Sequence, residues 1–212
     1  MKNTDDNNQS SYKLKLTLKG QATRARIIEA AADLMAEQGI GRTSMEDVQR
    51  QAKVGASQLY HYFDDKKELV RAVIAHQAEA IFEAQQPYLG KLDSFEALQA
   101  WRNLIIEIQS GRQFKNGCSI DSLVGEIAES EEEVRSELVS CFAQWEGEIS
   151  RGLHDMHARG VLRSDADPDG LALALLTALQ GGLLLSRLRR EVAPLATGLD
   201  AALGYIRSFA AN

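Results

Sequence analysis

Apolar residues recur at three- and four-residue intervals through most of the chain, the period of a helix with one buried face. Ile27, Ile28, Ala31, Leu34 and Met35 predict a helix from about Thr23 to Gln38, with Gly39 as its left-handed stop. A short helix follows Ser44, where Ser44-Met45-Glu46-Asp47 approximates a capping box and Val48 and Ala52 turn inward. A third covers Ala56 to about Tyr62, anchored by Leu59 and Phe63. Asp65-Lys66-Lys67-Glu68 then caps a longer fourth helix through Val70, Val73, Ile74 and Ile81. Pro87 and Gly90 mark a boundary. Beyond it the predicted helices are more apolar, at about 94–110, 119–128, 131–159, 168–190 and 194–209. Ser130 with Glu133 forms a further capping box, Asp167-Pro168 supplies a cap and a first-turn proline, and Gly160 ends the longest helix. Three prolines and no Asn-Gly turn between alternating apolar runs argue against a sheet, so the fold class is all-α.

Charge divides the chain unevenly. The whole sequence carries a net charge of -6, which excludes a wholly basic nucleic-acid binder. Residues 1–75, however, hold twelve basic and ten acidic side chains, whereas residues 76–212 hold twelve and twenty. Only the N-terminal third suits a polyanion, and residues 1–26 alone net +4, with Lys13, Lys15, Lys19, Arg24 and Arg26 following a polar start. Two cysteines cannot build a disulfide framework or a thiolate zinc site, and no secretion signal follows Met1, so the expected compartment is the cytoplasm. The stretch Leu171–Leu185 is interrupted by Thr177, Gln180 and two glycines and reads as a buried helix, with no membrane partner expected.

Residues 44–63 form two short helices joined by a tight turn, an arrangement that presents the second helix to a major groove. Its exposed candidates are Ala56, Ser57, Gln58, Tyr60 and His61. The amide of Gln58 can pair with both N6 and N7 of adenine, which makes it the leading base reader. Leu59-Tyr60-His61-Tyr62-Phe63 and Asp65-Lys66-Lys67-Glu68-Leu69, with Ile27-Ile28-Glu29-Ala30-Ala31, Thr43-Ser44-Met45-Glu46-Asp47-Val48 and Ala52-Lys53-Val54 upstream, resemble the DNA-binding domain of the tetracycline-repressor-like (TetR) family. The C-terminal part is similar to the multidrug-regulator-type members. The resemblance implies a homodimeric transcription regulator, usually a repressor released by a small ligand, with Tyr60 and Lys67 on phosphates and Thr43 and His61 near the DNA backbone. The sequence departs from the family pattern at Lys53, where glycine is usual, and at Gly55, where serine is usual.

The expected organisation is a flexible basic arm at 1–21, a three-helix DNA-binding domain at 22–66, a linker helix at 65–84 and an effector-binding and dimerisation domain at 85–212. The partners are a pseudo-palindromic double-stranded operator, a second copy of the chain and a small, largely apolar effector. The alternative is a helical interaction scaffold without specific DNA binding. For the effector site, Leu98, Trp101, Leu104, Ile105 and Ile108 should face Leu138, Phe142, Trp145 and Ile149, with Gln144, His154 and the loop near Arg112 as polar contributors. Leucines of 171–184 and the stripe Leu199, Leu203, Ile206 and Phe209 should form a four-helix dimer interface. His154 and His157 share a helix face, yet two imidazoles without further ligands make no metal site. Cys118, after Gly117, reads as a buried thiol, with redox sensing as its alternative. No cofactor-binding or nucleophile motif occurs, so no enzyme is expected.

Overall fold

The computed structural model describes residues 16–86, 88–111 and 132–211. Residues 1–15 of the arm, Pro87, the predicted helix at 119–128, the loop near Arg112, Cys118 and the Ser130 cap lie outside them. The described elements are α1 (Leu18–Gln38), α2 (Met45–Ala52), α3 (Ala56–Tyr62), α4 (Lys66–Ala84), a 3-10 turn (Leu89–Lys91), α5 (Phe95–Gly111), α6 (Glu132–Ala158), α7 (Pro168–Arg189) and α8 (Ala193–Arg207). Among the described residues there is no strand; an isolated bridge joins Leu162 to Ala210.

The first helix starts earlier than its apolar period predicts. Thr17 caps it, its hydroxyl accepting from Gly20 N–H at 3.2 Å, so residues 18–21 are helical and the expected flexible arm stops short of them. Apolar spacing could not reveal this turn, because Leu18-Lys19-Gly20 carries no buried stripe. Thr23 nevertheless lies buried, with its hydroxyl donating to the Lys19 carbonyl at 3.0 Å.

Helix α1 packs across α2 and α4, enclosing Ile27, Ala31, Val48, Leu59, Phe63, Leu69 and Val73. Seven-residue α3 is far too short to be stable alone and depends on burying Leu59 and Phe63. Arg26 donates through Nε to the Ala52 carbonyl at 2.9 Å, satisfying a carbonyl that the end of α2 leaves open. The turn that follows reverses through Lys53 at φ 54° and ψ 50°, a left-handed conformation that glycine adopts without strain.

Beyond the 3-10 turn, α6 runs along α4 on one side and α7 on the other. Helices α7 and α8 form a close hairpin: the buried Ser186 hydroxyl accepts from Leu195 N–H at 3.0 Å, and Gly182 lets the Leu195 backbone approach. The chain end is strapped back on this body by Arg163 N–H to Phe209 O at 2.8 Å and Ala211 N–H to Val161 O at 2.9 Å. Helix α5 has a partner that its apolar stripe did not specify. It packs on α8, and Trp101 Nε1 donates to Gln85 Oε1 at 2.9 Å just past the end of α4. Helix α7 is long and apolar enough to cross a membrane by length and composition alone, with a mean hydropathy of 1.6. Its Leu171, Leu175, Leu176, Leu179 and Leu183 are buried within this protein, whereas Leu173, Leu184, Leu185 and Leu188 are exposed.

Two glycines on α6 separate backbone cost from packing cost. A methyl group at Gly152 would overlap the Leu92 carbonyl, while one at Gly147 would meet nothing within 4 Å. Gly147→Ala should therefore raise stability by about 0.5–1 kcal/mol, the helix-propensity gain. Gly152→Ala should lower it by about 1–3 kcal/mol through overpacking. Chemical denaturation of both variants measures the difference, and equal midpoints would contradict the contact.

Candidate nucleic-acid interface

Helix α3 is held from below and presented from above. Leu59 and Phe63 point into the three-helix core, and Ala56, Ser57, Gln58, Tyr60 and His61 are all exposed. At 100° per residue, Ser57 and His61 lie opposite Leu59, with Gln58 and Tyr60 on the two flanks. The division of the two tyrosines follows the same geometry. Tyr60 is 49% exposed, whereas Tyr62 is half-buried and packs edge-on against His61 with ring centroids 5.0 Å apart.

The supporting helices are fixed by their caps. Ser44 accepts from Asp47 N–H at 3.1 Å while Asp47 accepts from Ser44 N–H at 3.1 Å, completing the capping box expected from the sequence. The Ser44 hydroxyl and backbone donors hold the Asp47 carboxyl below the usual carboxylate range, with Arg50 at 3.2 Å assisting. Asp65 caps α4 by accepting from Glu68 N–H at 2.8 Å, and Glu68 returns the bond to Asp64 N–H at 2.8 Å. Lys66 and Lys67 thus occupy the first turn of a 19-residue helix, where the backbone amides favour an anion. Lys67 is exposed beside the recognition helix.

Thr43 does not join this surface. It is 1% exposed, and its hydroxyl donates to the Gly39 carbonyl at 2.8 Å, closing the turn between α1 and α2. The Thr43 hydroxyl oxygen in turn accepts from Gln38 Nε2 at 3.4 Å. Lys53 adds a cation close to this surface. Exposed and left-handed, it stands two residues before the glycine-capped start of α3. Its replacement of the usual glycine was the available signal.

The expected effector residues divide between the core and the surface. Trp101, Ile105, Trp145 and Ile149 are buried in the core, and Phe142 is half-buried against it. His154 is exposed on the outside of α6, with Nε2 3.1 Å from Asp169 Oδ1, which also accepts from the Ser150 hydroxyl at 2.5 Å. These bonds, Ser150 foremost, hold the Asp169 carboxyl below its ordinary range. A groove of about 430 Å³ lies instead between α4 and α6. Its floor is Ile74, Ala78 and Phe82, with Cys141 opposite, and Gln144, an expected polar contributor, lines it. Burial pushes the Cys141 thiol up. Trp145 packs edge-on against Phe82, its centroid 6.1 Å away, and its Nε1 is buried with no hydrogen-bond partner among the described residues. Among the described residues, no group of three metal-ligating side chains occurs.

Comparison with known proteins places both halves of the chain. Residues 27–73 match the family described as bacterial regulatory proteins, tetR family, and residues 94–199 match the LmrA/YxaF-like transcriptional regulator C-terminal domain, which spans half the chain. The transcriptional regulator AcuR of Cereibacter sphaeroides is 25% identical over 171 residues, covering 80% of this chain and 78% of that protein. The transcriptional repressor DhaR of a Mycobacterium species is 25% identical over 177 residues, covering 81% and 86%. Among solved structures, a TetR transcriptional regulator from Chloroflexus aurantiacus superposes with a TM-score of 0.76 at 24% identity, covering 92% of this chain and 98% of that one. The regulatory protein TetR from Rhodobacter sphaeroides gives 0.74 at 22% identity, covering 86% and 98%. An exposed recognition face on a three-helix core, joined to a helical body matched by a regulator domain, leads to one assignment: the chain belongs to the TetR family of transcription regulators, a family of DNA-binding proteins and not of enzymes.

Proposed function

We propose that this protein is a ligand-responsive repressor that binds a pseudo-palindromic operator as a homodimer in the cytoplasm and leaves it when a small effector binds. The observation that carries the reading is the exposed face of α3, whose neighbours Leu59 and Phe63 are fully buried. A rigid, short helix with polar flanks suits a major groove, and two such helices related by a two-fold axis suit two half-sites. Ser57 and His61 at the centre of that face, with Gln58 and Tyr60 beside them, meet the DNA, and Lys67 contacts phosphate.

The dimer reading rests on α7 and α8. Leu173, Leu184, Leu185, Leu188 and Tyr205 are exposed on these two helices, with Leu188 at 71%. An apolar face of this extent on a hairpin of helices is covered most simply by the same hairpin of a second copy, forming a four-helix contact. The effector reading rests on α4, whose first half packs on α1 and whose second half packs on α6. A ligand that shifts α4 against α6 changes the separation of the two recognition helices and lowers operator affinity.

Selection of bound sites from a random DNA pool tests the reading. It should return an inverted repeat, and binding should weaken steeply with salt. No enrichment over random sequence would overturn it. On the selected site, Gln58→Ala should relax preference at one base pair per half-site, costing about 1–3 kcal/mol there. Lys67→Ala should weaken all sequences alike and reduce the salt slope by about one. Thr43→Val should behave differently from both, lowering stability by about 1 kcal/mol while leaving the affinity of the folded protein for DNA unchanged.

The assembly is tested separately by light scattering. Leu184→Glu with Leu188→Glu buries two carboxylates in the proposed interface and should yield monomers that lose operator binding while their helix content persists. A double variant that remains dimeric would move the interface elsewhere.

A further inference from the structure

We propose that Lys53, in the turn between α2 and α3, contacts a phosphate of the bound duplex, and that it is held for this contact in a conformation that lowers the stability of the free protein. The inference rests on the DNA-binding reading of α3 and adds a residue to it.

The turn is built the wrong way round for stability. Lys53 sits at φ 54° and ψ 50°, the left-handed region, where glycine is free of strain and a residue with a Cβ is not. Gly55, two residues on, has φ -75° and ψ 156°, a backbone that any residue adopts, and a Cβ there would meet nothing within 4 Å. Each residue suits the other's position better than its own. Gly55 also leaves α3 without the side-chain cap that a serine would supply. Nothing inside the chain offsets the strain at Lys53, which is exposed and whose ammonium has no hydrogen bond or ion pair among the described residues. Strain kept without an internal contact points to a contact outside the chain.

Charge and place identify that contact. Residues 53–56 read Lys-Val-Gly-Ala, so Lys53 is the one polar side chain of the stretch, and Val54 is buried. The neighbouring cations are engaged within the chain, Arg26 with the Ala52 carbonyl at 2.9 Å and Arg50 with Asp47 at 3.2 Å. In a helix-turn-helix bound to a duplex, the first helix crosses the backbone and the second enters the major groove by its N-terminal residues. The turn that joins them therefore lies at the rim of the groove, where the phosphates are. The four-carbon stem of Lys53 carries its charge past the small residues Gly55 and Ala56. An ammonium on a phosphate acts as a point charge and reads no base, so Lys53 adds affinity without sequence preference, unlike Gln58.

The variant Lys53→Gly separates this role from a structural one, because the two expected effects have opposite signs. With the left-handed strain removed, its midpoint in urea should rise. Its affinity for the selected operator should fall by about fivefold near 0.1 M salt, and the slope of log affinity against log salt should become shallower by about one. Asparagine tolerates the left-handed region without carrying charge, so Lys53→Asn should show the same two losses, while Lys53→Arg should keep both affinity and slope. Fluorescence anisotropy of labelled duplexes at several salt concentrations measures all of these. A random duplex of the same length should lose affinity in the same proportion as the operator. Unchanged affinity and slope in Lys53→Gly, or an arginine variant as weak as the glycine one, would overturn the proposal. A midpoint that falls in Lys53→Gly would do so too, by making Lys53 a structural residue. A parent protein that binds random duplex but enriches no site loses the repressor reading alone, since the comparison on random duplex still decides the role of Lys53. Binding to no duplex at all would overturn both.

Discussion

The structure depends on α4 being packed twice. Its first turns contribute Leu69, Val70 and Val73 to the core that also holds Leu59 and Phe63, and its later turns carry Ala78 and Phe82 to α6. A continuous 19-residue helix spans about 28 Å, and no flexible linker interrupts it. Consequently the recognition helix cannot be placed independently of the C-terminal body. The N-terminal core fixes the orientation of α3 on α4, and the contact with α6 fixes the orientation of α4. Changing the second contact reorients α3 without disturbing the first.

That dependence explains which parts of the molecule were legible in the sequence. The helices of the N-terminal domain are short, and each is bounded by chemistry that acts within four residues: Ser44 with Asp47, Asp65 with Glu68, and glycine at Gly39. Local signals of that kind are written in the sequence and need no knowledge of the fold. The division of Tyr60 from Tyr62 follows equally from helical period and the burial of Leu59. Thr43 shows where motif resemblance outruns physics. Its place beside the capping box is right, but its hydroxyl is bound within the turn by the Gly39 carbonyl.

The C-terminal half was readable in its stripes and unreadable in their pairing. Periodicity correctly identified Leu98, Trp101 and Ile105 as one buried face and Leu138, Trp145 and Ile149 as another. It could not tell which faces meet, because every apolar stripe is an acceptable partner for every other. The decisive contacts are polar or steric and occur between residues distant in sequence. Gln85 receives the Trp101 indole proton, Gly152 admits the Leu92 carbonyl, and Ser186 ties α7 to the start of α8. Each selects one arrangement among several of similar hydrophobic gain, and with it the place of the groove between α4 and α6.

The polar groups left unmatched are informative for the same reason. Most buried polar atoms in a protein have hydrogen-bond partners, so unpaired ones mark places where packing was not the only constraint. Among the described residues, Trp145 Nε1 beside the Phe82 ring and Gln77 Oε1 on α4 are buried without a partner. A helix optimised for stability alone would match these groups or replace them with apolar side chains. The unmatched Trp145 Nε1, beside Phe82 at the contact of α4 and α6, therefore weakens the contact that orients α3. A contact that must change during function cannot be the most stable one available, because a small ligand supplies only a few kcal/mol of differential binding with which to shift it.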